Sequence, residues 1–241
     1  MTHELLSLAK RFHISVVSQG KFSPSTGDLT GEEYLLEILR AEADARDKRA
    51  RAERAKQARL PTFKGFEEFD CDFQKGITRE QLATLEKLEW IDQAFNLVLI
   101  GPPGTGKTHL SLAIANKAVD EGYKVFFATM DSLMHILKTQ EISLKSAARV
   151  RWINKCDLLV VDEVGYLPVS RTEANLFFSL VSQLYEKASL IITSNKGFSG
   201  WAELLGDSVL ATALLDRLTH RCQVLNLEGE GWRLANRKHI F

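Results

Sequence analysis

Cysteine is scarce in this sequence. Cys71, Cys156 and Cys222 are its only three, far apart and without CxxC spacing, which excludes a disulfide framework and a cysteine zinc cluster. An odd number of scattered thiols fits a reducing compartment and reads as structural. Long apolar runs are missing as well: none approaches the ~18 residues that a bilayer-spanning helix needs. The opening MTHELLSLAKRF lacks the basic-then-apolar layout of a secretion signal. A cytoplasmic protein with no membrane partner is therefore expected. Net charge is the third absence, because 31 Lys and Arg offset 31 Asp and Glu. Nucleic-acid binders usually carry a basic excess, so neutrality counts at first against such a partner. With 45% hydrophobic and 26% charged residues among 241, the remainder is ordinary for a globular chain. The length suits one full domain and a smaller one.

The neutrality is a cancellation. Between Arg40 and Lys64 stand nine basic residues and four acidic ones, a local excess that the rest of the chain offsets. A short helix over 2–12 and a Gly/Ser/Pro-bearing loop over 19–28 come before this stretch. Thr30-Gly-Glu-Glu33 then reads as a capping box, the Thr hydroxyl and Glu carboxylate satisfying free N–H groups at a helix start. The helix should run to about Leu60, since Pro61 disfavours helical geometry in the residue before it. Glu42/Arg46, Asp44/Lys48 and Asp47/Arg51 are spaced i, i+4 with the acid first, so part of the charge is expected to pair within the helix. Arg49, Arg54, Lys56 and Arg59 have little such compensation. With Arg46 they are candidates for salt-dependent contact with DNA phosphates. Lys138, Lys145, Arg149 and Arg151 form a second basic patch. The expected division is a helical N-terminal domain over 1–62, a linker over 63–80 whose aromatic, irregular start at 63–73 docks on the main domain, and a main domain over 81–241.

Thr78-Arg-Glu-Gln81 is another capping-box candidate, opening a helix to about Asp92. Beyond it, buried strands alternate with helices. Strands are expected at 96–100, 124–128, 158–162, 190–193 and 223–227, and helices at 107–121, 131–139, 144–154, 171–187 and 208–219. Such alternation with central apolar strands predicts an α/β fold whose parallel sheet is sandwiched by helices.

The chemistry concentrates in four places. Gly101-Pro102-Pro103-Gly104-Thr105-Gly106-Lys107-Thr108 fits GxxxxGK[ST] between a strand and the helix opening at His109. Its glycines let consecutive backbone N–H groups curl toward phosphate oxygens at a helix N-terminus. Lys107 then reaches the β- and γ-phosphates of ATP, and the Thr108 hydroxyl ligates Mg2+. Leu158-Leu-Val-Val-Asp-Glu163 is a buried strand that ends in two acids. Asp162 is the candidate to hold Mg2+ and Glu163 to polarise the attacking water. Ser189-Leu-Ile-Ile-Thr-Ser-Asn195 ends another strand, where Asn195 is placed to meet water or the γ-phosphate, or simply to make a turn. Arg217, in ALLDRLTHR, either faces solvent or serves a neighbouring subunit's γ-phosphate. Arg233 is a further phosphate candidate.

These ordered segments (GPPGTGKTHL, DLLVVDEVGYLP, SLIITSN, ALLDRLTHR and GEGWRL) resemble the IstB-like transposition helper ATPases. Those belong to the initiator and DnaC-like helicase-loader branch of the AAA+ superfamily. The resemblance covers about residues 30–235. It implies a nucleotide site on residues 101–109, a Walker B pair at Asp162 and Glu163, sensor 1 at Asn195, an arginine finger at Arg217 and sensor 2 at Arg233. It also implies that segment 131–152 is an extra, nucleic-acid-facing helix. The usual GESYR reads Gly229-Glu-Gly-Trp-Arg233 here, which puts the sensor 2 role in doubt. Only 24 residues follow Arg217, so the helical lid of many AAA+ proteins is expected to be reduced or absent. The implied function is an ATP-dependent, DNA-stimulated ATPase. It would form a homo-oligomer on duplex DNA and recruit its cognate transposase. A replicative helicase loader is the alternative on the same fold, and a P-loop kinase the alternative from another class.

Overall fold

The apolar runs read as strands pair into one parallel sheet in the computed structural model, which describes residues 3–25, 29–166, 168–229 and 231–232. Its strands are β1 (Asn96–Ile100), β2 (Val125–Thr129), β3 (Leu158–Val164), β4 (Ser189–Ser194) and β5 (Cys222–Asn226), in the order β2-β3-β4-β1-β5. Leu97 stands opposite Ile191 on one side and Gln223 on the other, so β1 is an interior strand. Central strands buried on both faces need continuous apolar sequence, not alternation. Leu158 to Val161 are accordingly fully buried.

Successive side chains still point to opposite faces, and this divides the core in two. Val98, Phe126, Leu159, Val161 and Ile192 join one layer, with α7 (Met130–Lys138), α9 (Arg171–Leu184), α10 (Trp201–Leu205) and α11 (Ser208–Thr219). Leu97, Leu99, Val125, Leu158, Val160 and Ile191 join the other, with α4 (Arg79–Glu86), α5 (Glu89–Asp92) and α6 (Lys107–Asp120). Each fully buried Leu or Ile contributes about 1.5–3 kcal/mol. α8 (Leu144–Ile153) follows α7 after residues 139–143, matching the two helices expected over 131–139 and 144–154. Local polar groups set the helix starts. Ser170 and Glu173 form a reciprocal capping box on α9, and Asp207 accepts from Val209 N and Leu210 N at 3.0 Å each on α11.

The helix expected to reach Asp92 breaks at Leu88, which adopts φ +63 between α4 and α5. Leu88 is almost fully buried, and the turn inserts it into the second core layer. α10 was absent from the sequence reading; it is only five residues long and carries the fully buried Trp201. β5 closes the series of strands and helices named here, and the segment expected to hold a reduced lid lies mostly outside the described residues.

The chain divides into two units, Met1–Glu53 and Arg54–Phe241. This division falls inside α3 (Gly31–Ala58), ahead of the domain border expected at 62. In the first unit, α1 (His3–Arg11), α2 (Ser15–Ser18) and the start of α3 enclose Ala9, Val16 and Val17. Thr30 N donates to Glu33 Oε2 at 2.8 Å, and Glu33 N to Thr30 Oγ1 at 3.3 Å, closing the capping box. Residues 54–80 go with the second unit, because the end of α3 and the aromatic stretch bury Ala58 and Ile77 in its core. No helix among the described residues is long and apolar enough to cross a membrane.

Candidate functional site

β1 delivers the glycine-rich loop to the carboxyl end of the sheet, where ligands of open α/β folds bind. Gly104 and Gly106 take φ +84 and +89, a left-handed region that other residues rarely adopt. A Cβ on Gly106 would also stand 3.1 Å from the Phe69 ring. The loop curls over a cavity of about 600 Å³. Lys107 begins α6 and is 6% exposed. Its Nζ donates to the carbonyls of Gly101 and Pro102 at 2.7 Å each, so the ammonium is held at the mouth of the loop. Thr105 Oγ1 donates to Pro102 O at 2.9 Å, bracing the same turn. His109 touches the edge of Phe69 and lies 3.3 Å from Gly65 O.

Glu163 reaches this cavity through an irregular strand, with Asp162 buried behind it. β3 pairs regularly with β4 as far as Val161↔Ile192, then shifts register before Val164↔Ser194. Within the shift Glu163 takes φ +63, an uncommon conformation for a non-glycine residue that costs ~1–3 kcal/mol. The irregularity re-aims side chains that a regular strand would send to opposite faces. Asp162 is buried, and Thr108 Oγ1 donates to its two carboxylate oxygens, each at 3.1 Å. Glu163 lines the cavity. Thr193, on β4, donates to Asp162 Oδ1 and accepts the Glu163 backbone N–H at 2.9 Å. A hydroxyl and a carboxylate side by side are oxygen donors of the kind Mg2+ prefers.

Thr193 was missed by the sequence reading, which singled out Asn195 two residues later. Asn195 is exposed and lies outside the cavity lining. Its Oδ1 lies 3.1 Å from the position a Cβ on Gly165 would take, beside the turn that follows Glu163. Also missed were the aromatic residues across the cavity. Asp70 accepts from Asp72 N and Phe73 N at 2.9 and 3.0 Å, and Gln74 Nε2 donates to Thr105 O at 2.5 Å. The stretch read as a linker is therefore folded onto the loop, with Phe69 and Phe73 lining the cavity. The aromatic density of FKGFEEFDCDF was the available signal.

Arg217 lies elsewhere. Its guanidinium sits 4.6 Å from the ring centre of Phe178, and Nη1 donates to Ala213 O at 3.1 Å. The neighbouring Leu218 O accepts from Asn96 Nδ2 at 2.9 Å, and Asn96 is the first residue of β1. Arg217 therefore stands at the amino end of the strand whose carboxyl end carries the loop, about 16 Å away at ~3.3 Å per residue. Arg233 falls outside the described residues.

The basic candidates separate into two groups. Arg46 bonds Glu42 Oε1 at 2.9 Å and His13 O at 3.1 Å; Arg49 bonds Glu42 Oε1 at 3.1 Å and Ser15 Oγ at 2.7 Å. Glu42 is buried, and the Arg46 hydrogen bond, helped by Val16 N–H and the Ser15 hydroxyl, brings its pKa down to about 2 against the pull of burial. These two arginines tie α3 to α2 while remaining more than half exposed. Lys138 pairs with Glu173 at 2.7 Å, and Arg54 Nε donates to Val119 O at 3.3 Å. Lys56, Arg59, Lys145 and Arg151 are exposed. Arg149 is half-buried; burial, and then the charge of Arg59, lower its pKa, which places these two guanidinium groups within electrostatic reach. Among the thiols, burial pushes Cys156 up to about 12 and Cys222 up to about 11, in keeping with unreactive, structural cysteines.

A family model described as IstB-like ATP binding protein matches residues 14–240. A Pseudomonas aeruginosa protein named for insertion sequence IS21 and ATP binding is 42% identical over 235 residues, covering 97% of this chain and 89% of its own. A Geobacillus stearothermophilus protein named for insertion sequence IS5376 and ATP binding is 35% identical over 243 residues, 99% of this chain and 96% of its own. Among solved structures, the DnaC helicase loader superposes with a TM-score of 0.54 at 18% identity, covering 68% of this chain and 96% of that one. That similarity speaks for the fold alone. With the loop, the paired acids and the sheet order already in place, the match across nearly the whole sequence shows that the chain belongs to the IstB-like ATP-binding protein family.

Proposed function

We propose that this protein is an ATP-dependent, DNA-binding helper of transposition that hydrolyses ATP between subunits and recruits the transposase of its insertion sequence. The observation that carries the reading is the meeting of Lys107, Thr108, Glu163 and Thr193 around one cavity, with Asp162 bonded to Thr108 and Thr193 behind it and Arg217 at the far end of the sheet. The glycine-rich loop curls through left-handed backbone at Gly104 and Gly106, which aims its N–H groups as a phosphate cradle requires. Lys107 and the loop N–H groups would hold the β- and γ-phosphates, the ammonium exchanging its two carbonyl partners for phosphate oxygens. Thr108 and Asp162 would hold Mg2+. ATP supplies the phosphoryl group transferred to water, and Mg2+ neutralises charge that develops on it. Glu163 takes the proton from the attacking water, its position set by the bond from its own N–H to Thr193. Arg217, too distant from its own loop, reaches the cavity of a neighbouring copy, which makes hydrolysis depend on assembly. Lys56, Arg59, Lys145, Arg149 and Arg151 are the DNA-facing set; Arg46 and Arg49 add exposed charge but primarily hold the N-terminal unit.

ATPase rate with and without duplex DNA across a salt series tests this reading, together with light scattering in ATP and DNA. Stimulation that fades with salt, accompanied by assembly, is expected. Monomers in ATP plus DNA would overturn it. Capture of a replicative helicase in place of the transposase would redirect it to helicase loading, and a phosphorylated small-molecule acceptor would make the protein a kinase.

A further inference from the structure

One wall of the cavity is built where the sequence departs from the resembled motif. The chain beyond β5 returns across the glycine-rich loop, and Trp232 N donates to Gly104 O at 3.0 Å. The indole meets the ring of Phe73 edge-on, with centroids 5.0 Å apart and planes at 87°. Trp232 therefore joins the loop through its backbone and the aromatic stretch through its side chain. The crossing is tight. A Cβ on Gly231 would stand 3.0 Å from Pro103 O, and one on Gly104 would stand 3.0 Å from Gly231 Cα. Glycine at 231, where the resembled motif has serine, keeps a Cβ out of this tight crossing.

Chemistry divides the cavity between two ends. The loop, Lys107 and Thr108 form a polar, N–H-rich end suited to phosphates. Phe69, Phe73 and Trp232 provide flat apolar faces and edges, suited to a heterocyclic base. We propose that Trp232, braced by Phe73, is a base-contacting residue of the nucleotide site, and that the Gly231–Trp232 strap closes this side of the cavity. This assignment rests on the nucleotide-binding reading above. It predicts that recognition of the base and of the phosphates can be separated by substitution.

The test is equilibrium titration of the full chain with ATP, ADP and inorganic tripolyphosphate, in wild type, Trp232→Ala and Trp232→Phe. Loss of a base–aromatic contact weakens binding by about 5- to 100-fold. Trp232→Ala should lose that much affinity for ATP and ADP and keep wild-type affinity for tripolyphosphate, which has no base. Trp232→Phe should recover most of the loss. An equal fall for all three ligands would show that the strap only shapes the loop and would overturn the proposal. So would unchanged ATP affinity in Trp232→Ala. Gly231→Ala, which presses on Pro103 O, is a second variant and should weaken all three ligands. Wild type that binds tripolyphosphate but neither nucleotide would also overturn the assignment. Wild type that binds none would instead sink the nucleotide reading itself and the strap proposal with it.

Discussion

The hydroxyl of Thr193 accepts the backbone N–H of Glu163 at 2.9 Å while donating to the carboxylate of Asp162. One side chain thus fixes both acids of the site. Thr193→Val keeps the shape and removes the hydroxyl. It leaves a buried carboxylate short of a donor and a peptide N–H short of an acceptor, at about 1–3 kcal/mol. The expected outcome is a lower urea midpoint and a fall in ATP turnover that exceeds any loss of ATP affinity. Thr193→Ser should restore both. Wild-type turnover in the valine variant would show that Thr193 has no part in positioning the acids.

Glu163 itself sits at φ +63, so function and stability pull in opposite directions there. Glu163→Gln keeps the backbone and removes the base, and turnover should fall by about 100-fold or more with ATP binding retained. Glu163→Gly should be as inactive, yet more resistant to heat, because glycine accepts the left-handed conformation without the side-chain penalty of ~1 kcal/mol or more. Calorimetry of the two variants separates these effects. A glycine variant that melts below the glutamine one would mean that the turn is not strained.

How much of this was visible in the sequence depends on what kind of signal each residue leaves. The glycine-rich loop was legible because its spacing is the chemistry: phosphates need N–H groups at successive positions. Leu158–Val161 were legible because a strand buried on both faces must be continuously apolar. The register shift at Glu163 leaves no such trace, since it arises from how β3 meets β4 and not from composition. Thr193 looked like one more strand residue, and Asn195 drew attention as a polar group at a strand end. Phe73 and Trp232 are about 160 residues apart, and no periodicity links them. Glu42 was read as one half of an exposed i, i+4 pair. Its burial by Ser15 and Val16 comes from α2, a helix too short to announce itself.

That burial gives the N-terminal unit an acid-sensitive joint. Glu42 has its pKa lowered from 4.5 to about 2, with Arg46 the leading cause. A depressed carboxylate stabilises the fold fully above the unfolded value and loses that contribution as pH falls through the folded one. Protection of α1 and α2 should therefore be constant above about pH 4.5 and decline toward pH 2. Glu173, held down to about 2 by Lys138, gives the other unit a similar limb. The readout must accordingly be local, by amide hydrogen exchange at residues 9–17. Glu42→Gln should be less protected at pH 7 and lose most of the acid dependence in that segment. An acid limb of unchanged size in the variant would assign it to another group.

Arg217 poses the sharpest question about assembly. It is stacked on Phe178 at 4.6 Å and anchored near the amino end of β1, and the proposed function has it act on a second copy. A guanidinium held against an aromatic face keeps its charge and loses little freedom on docking. Arg217→Ala should bind ATP normally and lose about 1,000-fold or more in turnover. Glu163→Gln should be similarly inactive. Mixed together, the two variants should recover activity, because an interface pairing an intact Glu163 with an intact Arg217 forms in part of the assemblies. Recovery should rise with total protein concentration and vanish under conditions that hold the chain monomeric. If the mixture stays as inactive as its parents while light scattering shows co-assembly, Arg217 acts within its own subunit or not at all. Phe178→Leu, which keeps bulk but not the aromatic face, should fall between wild type and Arg217→Ala in turnover, with ATP affinity unchanged.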